Sequence, residues 1–199
     1  MTLYLTADTH FGHHNIIAYC NRPYADVQQM QDGLVDRWND VVRPQDEVWH
    51  LGDVAMGRLP ETLQVVRRLH GRKHLVPGNH DRCWAGHSRA AEWTALYQDV
   101  GFTLLPSQTT LAFGPKTALV CHFPYRDPAV VQQRYGQDHP DDDGRWLLHG
   151  HVHDAWRQRR RMINVGVDVW DHRPVGLDRL LRLGDDQQNS EGNGGMLSA

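Results

Sequence analysis

Short apolar runs that end at polar residues recur along the chain. Bounded by turn residues, they predict buried strands over residues 3–6, 47–51, 74–76, 103–113, 117–121, 146–149 and 163–167. Between several of these runs, apolar residues recur at about the helical period, which predicts helices within residues 30–41, 60–69 and 88–98. Strands that are followed by helices favour an α/β fold.

The organisation along the chain predicts one domain over residues 1–184. A length of 199 residues fits one compact domain, and we find neither an internal repeat nor an interdomain linker. Residues 125–144 are rich in Pro, Asp and Gln, and predict a surface excursion with one helical turn. Residues 185–199 have low hydrophobicity and many Gly, Asn and Gln residues, so we expect a disordered C-terminal tail.

Composition narrows the classes of function. The formal net charge of −3 and a pI near 6.5 argue against a broad basic surface for duplex nucleic acid, although a metal site can still attract phosphate. The three cysteines show no C-x-x-C spacing, which fits a reducing compartment. No stretch approaches the length of a membrane span and no signal-peptide pattern opens the chain, so we expect a cytoplasmic protein without a membrane partner.

Residues able to bind metal follow five of the predicted strands. In chain order these residues are Asp8 and His10, Asp53, Asn79, His122, and the pair His151 and His153. Ligands of α/β sheets bind in the crevice outside the carboxyl ends of the strands, so we expect these side chains to converge. The chain also holds 14 histidines, and histidine is the commonest metal ligand.

The spacing within two of these segments suits a metal. Asp8 and His10 are two residues apart, as are His151 and His153, so each pair can turn toward one point. Carboxylate and imidazole together favour Mn²⁺, Fe²⁺, Zn²⁺ or Ni²⁺, whereas an all-oxygen site favours Ca²⁺ or Mg²⁺. Either pair alone is a weak signal. Five segments that each place such residues after the end of a predicted strand together predict a metal centre.

In this order, the motifs DTH, GD, GNHD, H and GHVH resemble those of the calcineurin-like, binuclear metallophosphoesterase superfamily. The resemblance covers roughly residues 1–170. More narrowly, DTHFGHHNII, NRP, LGDVA, PGNHD, GHVH and NVGVDVW resemble a small bacterial and phage branch of predicted phosphoesterases. The resemblance implies a four-layer αββα sandwich, in which two mixed β-sheets are flanked by helices.

The resemblance also implies how the ligands divide. One divalent cation would be bound by Asp8, His10 and His153, a second by Asn79, His122 and His151, and Asp53 would bridge the two. Mn²⁺ is the first choice, with Fe, Zn, Ni and Mg as alternatives. A hydroxide activated by both metals would attack phosphorus, and His80 would contact the phosphate and protonate or stabilise the leaving oxygen.

Two departures from the superfamily pattern argue against a Ser/Thr protein phosphatase. The sequence after Asp53 reads VAMGR and lacks the second aspartate of GD-x-x-D-R-G, and the third motif reads GNHD rather than GNHE. In protein phosphatases that second aspartate orients the histidine that matches His80. The sequence therefore leaves open what orients His80.

Four further residues are candidates for contact with substrate. His13 and His14 directly follow the first motif and lie where they could line the mouth of the site. Arg22 and Arg126 are candidates to donate bidentate hydrogen bonds to phosphate, with a solvated or structural arginine as the alternative for each.

Other basic residues near the motifs have structural interpretations. His50 and His149 lie within strand patterns close to ligands, so we expect them to orient ligands or to pack in the core. The basic run at residues 157–161 predicts a solvated hairpin beside the GHVH segment, with contact to a polyanion as the alternative.

We therefore expect a hydrolase, namely a metal-dependent phosphoesterase that acts as a phosphodiesterase on small or cyclic nucleotide substrates. One alternative is a nuclease for nucleic-acid ends or single strands, and another is a non-catalytic metal-binding scaffold. Every expected ligand position is filled, which argues against the scaffold. The sequence leaves the physiological substrate and the oligomeric state open.

Overall fold

The first sheet holds four parallel strands and one antiparallel edge strand in the computed structural model, which describes residues 1–130 and 134–194. These strands are β1 (Leu3–Thr6), β2 (Glu47–His50), β3 (Arg72–Leu75), β4 (Phe102–Leu104) and β10 (Val175–Gly176). Their spatial order is β10-β1-β2-β3-β4, and β10 runs antiparallel to β1. The carboxyl ends of β1 to β4 therefore share one edge of this sheet.

The second sheet is also mixed. Its strands are β5 (Gln108–Phe113), β6 (Lys116–Cys121), β7 (Trp146–His149), β8 (Gln158–Arg159) and β9 (Met162–Asn164). Their spatial order is β5-β6-β7-β9-β8, with β6, β7 and β9 parallel and the two edge strands antiparallel. The expected hairpin over the basic run is present, because β8 and β9 are antiparallel neighbours.

The apolar run over residues 103–113 is not one strand, as the sequence predicts, but two. β4 ends at Leu104 and pairs with β3 in the first sheet, whereas β5 begins at Gln108 and pairs with β6 in the second. Pro106 lies between them, and proline cannot donate the hydrogen bond that a continuous central strand requires. The chain therefore passes from one sheet to the other at this proline.

Helices flank the sheets. They are α1 (His14–Tyr19), α2 (Val27–Asn39), α3 (Leu59–Thr62), which continues into a 3₁₀ helix, α4 (Ala90–Asp99) and α5 (Leu177–Gly194). α2 begins where the Asp26 carboxylate accepts a hydrogen bond from the Gln29 backbone N–H at 2.8 Å, which satisfies one of the free donors at the helix start. Its Leu34 and Trp38 side chains lie buried against the first sheet.

Side chains on β6 show how the sheets pack. Ala118 and Val120 point into the apolar layer that also contains Leu5 of β1, whereas Leu119 and Cys121 point to the opposite face because successive side chains alternate across a strand. The two mixed sheets therefore pack face to face, with helices outside, which confirms the predicted four-layer αββα fold.

The C-terminal helix extends beyond residue 184, where the sequence predicts the domain to end. α5 runs to Gly194, and residues 195–199 lie outside the described part of the chain. Leu180 is fully buried in the layer between the sheets, and Leu181 and Leu183 pack against it. These leucines fix the first half of α5, and the helix continues from them. Among the helices of the described residues, none combines the length and apolarity needed to cross a membrane.

Candidate metal centre

The loops that carry the seven predicted ligands meet at the carboxyl ends of the strands. They follow β1, β2 and β3 in one sheet and β6 and β7 in the other. Backbone hydrogen bonds tie the loops together: Asp8 N–H donates to the Gly52 carbonyl, and His10 N–H to the Asp53 carbonyl, both at 3.0 Å. Gly150 N–H donates to the His122 carbonyl at 3.0 Å. These backbone bonds join the loop after β1 to the loop after β2, and the loop after β6 to the loop after β7.

Five of the seven predicted ligands have left-handed backbone conformations. Their φ angles are +58° for Asp8, +49° for His10, +60° for Asp53, +72° for His151 and +48° for His153. A non-glycine residue pays about 1–2 kcal/mol to adopt this region. Such strain persists only where surrounding contacts impose it, and it concentrates at functional sites. It turns each side chain toward a common centre instead of continuing the strand.

Glycines allow the loops to approach the ligands closely. A Cβ atom at Gly78 would lie 2.4 Å from Asp53 Oδ1 and 2.7 Å from His122 Nδ1. A Cβ atom at Gly150 would lie 2.7 Å from Asp8 Oδ2. Any other residue at these positions would displace a ligand, which explains the glycines of the GNHD and GHVH motifs.

Asp8, His10 and His153 form one cluster whose ligand atoms lie within 4.8 Å of one another. The His10 and His153 rings are stacked, with centroids 5.1 Å apart. Both ring nitrogens of His10 are buried without a hydrogen-bond partner in the protein. Buried polar atoms are normally satisfied, so an imidazole in this state fits coordination to a cation.

Asn79, His122 and His151 form the second cluster. His122 Nδ1 donates to the Leu51 carbonyl at 2.7 Å, so the lone pair of its neutral ring lies on Nε2. This Nε2 atom is 3.1 Å from Asn79 Oδ1 and 3.3 Å from His151 Nδ1. Asn79 Oδ1 and His151 Nδ1 are 3.0 Å apart. With Nδ1 of His151 unprotonated, these three atoms present lone pairs to one point, where one cation can bind all of them.

Asp53 lies between the clusters. Its Oδ2 atom is 3.6 Å from His10 Nε2 in the first cluster and 3.6 Å from His122 Nε2 in the second. Its Oδ1 atom accepts the backbone N–H of His80 at 2.9 Å. One carboxylate oxygen is therefore equidistant from a ligand of each set, as a bridging ligand requires.

The protonation states of the histidines and aspartates in the site also favour the binding of cations. Burial lowers the pKa of His122 to about 3 and of His151 to about 2, so both are neutral and can use their lone pairs near pH 7. Burial holds the pKa of His10 well below its usual value and raises the pKa of Asp8 and Asp53. A divalent cation beside Asp8 and Asp53 would offset the burial that raises their pKa, and it could bind the lone pairs of the neutral His10, His122 and His151 rings.

Asp81, the last residue of the GNHD motif, joins two of the ligand loops. Its carboxylate accepts backbone N–H groups from Gly78 at 2.9 Å, from Asp53 at 2.7 Å and from Val54 at 3.0 Å. It is fully buried. The carboxylate thereby holds the Asp53 loop against the Asn79 loop, a role that the sequence motif alone does not reveal.

His80 lies at the mouth of the centre, in a cavity of about 240 Å³. Its Nε2 atom is 4.0 Å from Asp53 Oδ2, and its ring meets the His10 ring edge-on with centroids 5.5 Å apart. Among the described residues, Asp53 is the carboxylate within ion-pair distance of His80. The Asp53 carboxylate and the His10 ring therefore lie beside His80, whereas the second aspartate of the protein phosphatase motif is missing from the sequence.

The same cavity contains Arg134, which sequence reasoning missed. Its guanidinium lies 4.9 Å from the centre of the Tyr135 ring, and both residues line the cavity with His80 and Asn79. Arg134 comes from the segment predicted as a surface excursion, and no motif marks it. Only the folded path of this segment brings it to the site.

Arg22 does not reach the mouth. Its side chain is buried, with Nε 2.7 Å from Asp168 Oδ1 and Nη2 3.0 Å from Asp168 Oδ2. The remaining donors bind the Thr9 and Asp8 carbonyls at 2.9 and 2.7 Å. These contacts correct the expectation that Arg22 binds substrate phosphate, because its donors are already used inside the protein.

Asp168 connects Arg22 to the first cluster. Its Oδ2 atom lies 3.2 Å from His153 Nδ1, which leaves His153 Nε2 free for a metal. Burial by itself would lower the pKa of His153, but the hydrogen bonds with Asp168 and Cys20 and the charge of Asp8 together outweigh it and raise that pKa to about 11. The negative surroundings that favour a proton on this ring also favour a cation beside it. The sequence motif NVGVDVW contains Asp168 but gives no sign of this role.

The other three substrate candidates lie in different places. His13 is half-buried with its ring centroid 5.5 Å from that of His10, so it borders the first cluster. His14 is exposed at the start of α1. Arg126 forms an exposed ion pair with Asp141 at 3.3 Å and lines a different cavity from the one that contains His80. None of these positions by itself tests a contact with substrate.

His50 and His149 are fully buried beside the ligand loops. His50 Nε2 lies 3.0 Å from Thr9 Oγ1, which in turn donates to the Val54 carbonyl at 2.9 Å. His149 Nδ1 lies 2.7 Å from the Gly150 carbonyl. Both rings therefore bond to residues next to ligands, as a positioning role requires.

We expect acid to destabilise the protein through these two histidines. Burial lowers the pKa of His50 and of His149 to about 3, against about 6.5 in an unfolded chain. Below pH 6.5 the unfolded state gains protons that the native state does not, so stability falls as the pH decreases toward 3. The slope is about 1.4 kcal/mol per pH unit for each histidine. Melting temperatures in EDTA between pH 7 and 5 measure it.

His50→Gln is the informative variant for this prediction. Glutamine can still donate to Thr9 but does not titrate. The stability of the variant should depend on pH less steeply, by the contribution of about one proton, whatever the absolute stability of the variant is. An unchanged slope would show that His50 titrates equally in the folded and unfolded states.

The comparisons with known proteins agree with the geometry. The calcineurin-like phosphoesterase superfamily domain matches residues 1–174. The chain is 31% identical over 190 residues to an uncharacterised protein of Methanocaldococcus jannaschii, covering 91% of this chain and 90% of that one. It is 30% identical over 203 residues to the gene 66 protein of Mycobacterium phage L5, covering 95% and 97% of the two chains.

A solved structure extends this similarity to three dimensions. The crystal structure of a protein of unknown function from Aquifex aeolicus matches with a TM-score of 0.67 and 26% identity, and covers 92% of this chain and 98% of that one. Two mixed sheets, clusters of residues able to hold a metal, and a domain match over residues 1–174 point to one conclusion. The chain belongs to the calcineurin-like phosphoesterase superfamily, whose members are metal-dependent phosphoester hydrolases.

Proposed function

We propose that this protein is a phosphodiesterase that hydrolyses small phosphodiesters, cyclic nucleotides among them, with two divalent cations. The observation that carries the proposal is the position of Asp53, whose Oδ2 atom lies 3.6 Å from a histidine of each cluster. A carboxylate so placed fits two adjacent cations better than one.

The residues would divide as the two clusters do. Asp8, His10 and His153 would hold one cation, Asn79, His122 and His151 the other, and Asp53 both. Mn²⁺ is our first choice, because mixed carboxylate, amide and imidazole ligands suit a borderline divalent metal. Bound there, such cations would neutralise phosphate oxygens and lower the pKa of a water molecule.

The chain's own residues would act on the leaving group and the phosphate. His80 lies at the mouth, partly exposed, and can give a proton to the leaving oxygen. Arg134 lines the same cavity and can donate to a phosphate oxygen that the metals do not hold. We assign the phosphate contact to Arg134 in place of Arg22.

The shape of the mouth supports a small substrate. The cavity of about 240 Å³ is formed by loops of the single domain, and no capping domain covers it within the described residues. Hydrolysis breaks the bond between phosphorus and the leaving oxygen, and an alkoxide leaving group needs a proton donor such as His80.

The test is hydrolysis of bis-p-nitrophenyl phosphate and p-nitrophenyl phosphate by protein loaded with Mn²⁺. We expect turnover of the diester, loss of turnover in EDTA, and a large loss in Asn79→Ala, which removes a ligand of the second cluster. Absence of turnover on both substrates, with Asn79→Ala indistinguishable from the unaltered protein, would sink the proposal.

His80→Gln tests the assigned role of His80. p-Nitrophenolate leaves readily without a proton, whereas the ribose oxygen of a cyclic nucleotide does not. The variant should therefore lose about 10²-fold or more in kcat on a cyclic nucleotide and much less on bis-p-nitrophenyl phosphate. Equal losses on both substrates would assign His80 to phosphate binding or structure instead.

A further inference from the structure

A second cavity, of about 400 Å³, lies beside the GHVH segment. We call it the arginine cavity, since Arg126, Arg159 and Arg160 line it together with Trp156 and Val152. It is larger than the cavity that contains His80, and the proposed function makes no use of it.

The arginine cavity is continuous with the ligand loops. Val152, in its wall, lies between the predicted ligands His151 and His153. Pro124, also in its wall, lies two residues after His122. A molecule in this cavity therefore contacts the same loops that hold the metal centre.

The arginines of the basic run differ in how they are used. Arg157 donates to the Val169 carbonyl at 2.9 Å, and Arg161 pairs with Asp142 at 3.1 Å. By contrast, Arg159 reaches its acidic neighbour Asp127 only at 3.9 Å, and both of these side chains are exposed. Such exposed pairs contribute little, so Arg159 can exchange its partner for a phosphate.

Arg160 is the most informative residue of the run. Among the described contacts it has no ion pair, and it lies at the turn between β8 and β9 with φ of +51°. Glycine or asparagine is the usual residue in such a turn position. An arginine there costs conformational energy and brings a guanidinium to the edge of the arginine cavity.

An aromatic wall completes the cavity. The Trp156 ring is partly exposed, and its centroid lies 4.8 Å from that of the buried His149 ring, which supports it from one side. Tyr125, Pro128 and Met162 add apolar surface. Guanidinium groups beside a supported aromatic ring are the combination that binds the phosphates and bases of single-stranded nucleic acid.

We propose that the arginine cavity binds the nucleotide next to the scissile phosphodiester, with Arg159 and Arg160 on its phosphate and Trp156 against its base. This inference rests on the proposed function and deepens it: the substrate class is short single-stranded oligonucleotides, down to a dinucleotide with a 5′-phosphate. A cyclic mononucleotide would leave this cavity empty.

The test compares two dinucleotides that differ only in a 5′-phosphate. Their internal linkage is a phosphorothioate, so that turnover does not deplete them, and the dissociation constant is measured by calorimetry on protein loaded with Mn²⁺. The double variant Arg159→Gln/Arg160→Gln should weaken binding of the 5′-phosphorylated dinucleotide about tenfold or more. Binding of the other dinucleotide should change less than about twofold, and Trp156→Leu should weaken both.

The matched control is Arg179→Gln/Arg182→Gln. These arginines are also exposed and line a different cavity, on α5 near β10. The control should bind both dinucleotides like the unaltered protein. Equal weakening in the two double variants would mean that binding depends only on the overall charge of the protein, and would overturn the proposal. Unchanged binding in Arg159→Gln/Arg160→Gln would overturn it as well.

A separate measurement distinguishes this inference from the proposed function. Hydrolysis of bis-p-nitrophenyl phosphate, which carries neither base nor second phosphate, should be the same in Arg159→Gln/Arg160→Gln and in the unaltered protein. Absence of this hydrolysis in the unaltered protein contradicts the proposed function. The calorimetry tests separately whether the arginine cavity binds the nucleotide.

Discussion

Asp53→Asn is expected to lower kcat for a phosphodiester by about 10³-fold or more. Asparagine keeps the shape of the side chain, and its oxygen can still accept the His80 backbone N–H that Asp53 Oδ1 accepts at 2.9 Å. What is lost is the negative oxygen that lies 3.6 Å from both His10 and His122. A neutral amide cannot neutralise two adjacent cations, so the centre should lose a metal as well as its rate.

The measurement pairs kcat on bis-p-nitrophenyl phosphate with the metal content of the protein after removal of free Mn²⁺. We expect two metals per chain to fall to one or fewer in Asp53→Asn. Asp46→Asn is the matched control: Asp46 is also buried, but its carboxylate accepts the backbone N–H groups of Thr2 and Arg43 at 2.8 and 3.0 Å, away from the centre. Retention of both metals and of turnover in Asp53→Asn would refute the bridging role.

The predicted ligands could be found from the sequence because each lies directly after a strand. The apolar runs locate the strand ends, and parallel strands bring their carboxyl ends to one edge. Asp8 and His10 are two residues apart, as are His151 and His153, so one strand end locates both members of each pair. The same local logic predicts the hairpin at the basic run, where β8 and β9 are separated by a tight turn.

Contacts between distant residues could not be predicted in this way. Arg22 and Asp168 are 146 residues apart and meet only because the segment between α1 and α2 and the segment after β9 lie side by side. Nothing in their local pattern distinguishes a buried arginine from one that faces substrate. Arg134 shows a similar limit, because its segment is predicted only as surface chain and no motif indicates that it lines the cavity with His80.

The break at Pro106 illustrates a third kind of limit. Apolar and polar residues alternate over residues 103–113 as they would in one strand. This periodicity indicates which face of the strand is buried, but not which sheet contains the neighbouring strand. The proline was present in the sequence, but a proline also occurs in edge strands and at bulges. Only the pairing of β4 with β3 and of β5 with β6 resolves the choice.

Asp168→Asn is expected to weaken Mn²⁺ binding at the first cluster by about 10- to 100-fold and to leave the second cluster nearly unchanged. The Asp168 side chain is 1% exposed, and it holds the His153 ring while its two oxygens bind Arg22. Arg22 also binds the carbonyls of Asp8 and Thr9. One buried ion pair therefore fixes the ligands of the first cluster, and it makes no such contact with Asn79, His122 or His151 among the described hydrogen bonds.

Calorimetric titration of metal-free protein with Mn²⁺ should resolve this as one weakened and one unaltered binding step. Arg22→Lys should act in the same direction, since a lysine keeps the charge but cannot bind both Asp168 oxygens and two carbonyls at once. Asn79→Ala provides the opposite pattern, with the second step weakened. A lower melting temperature with both binding steps unchanged, or with both weakened equally, would assign Arg22 and Asp168 to the stability of the fold and not to the position of His153.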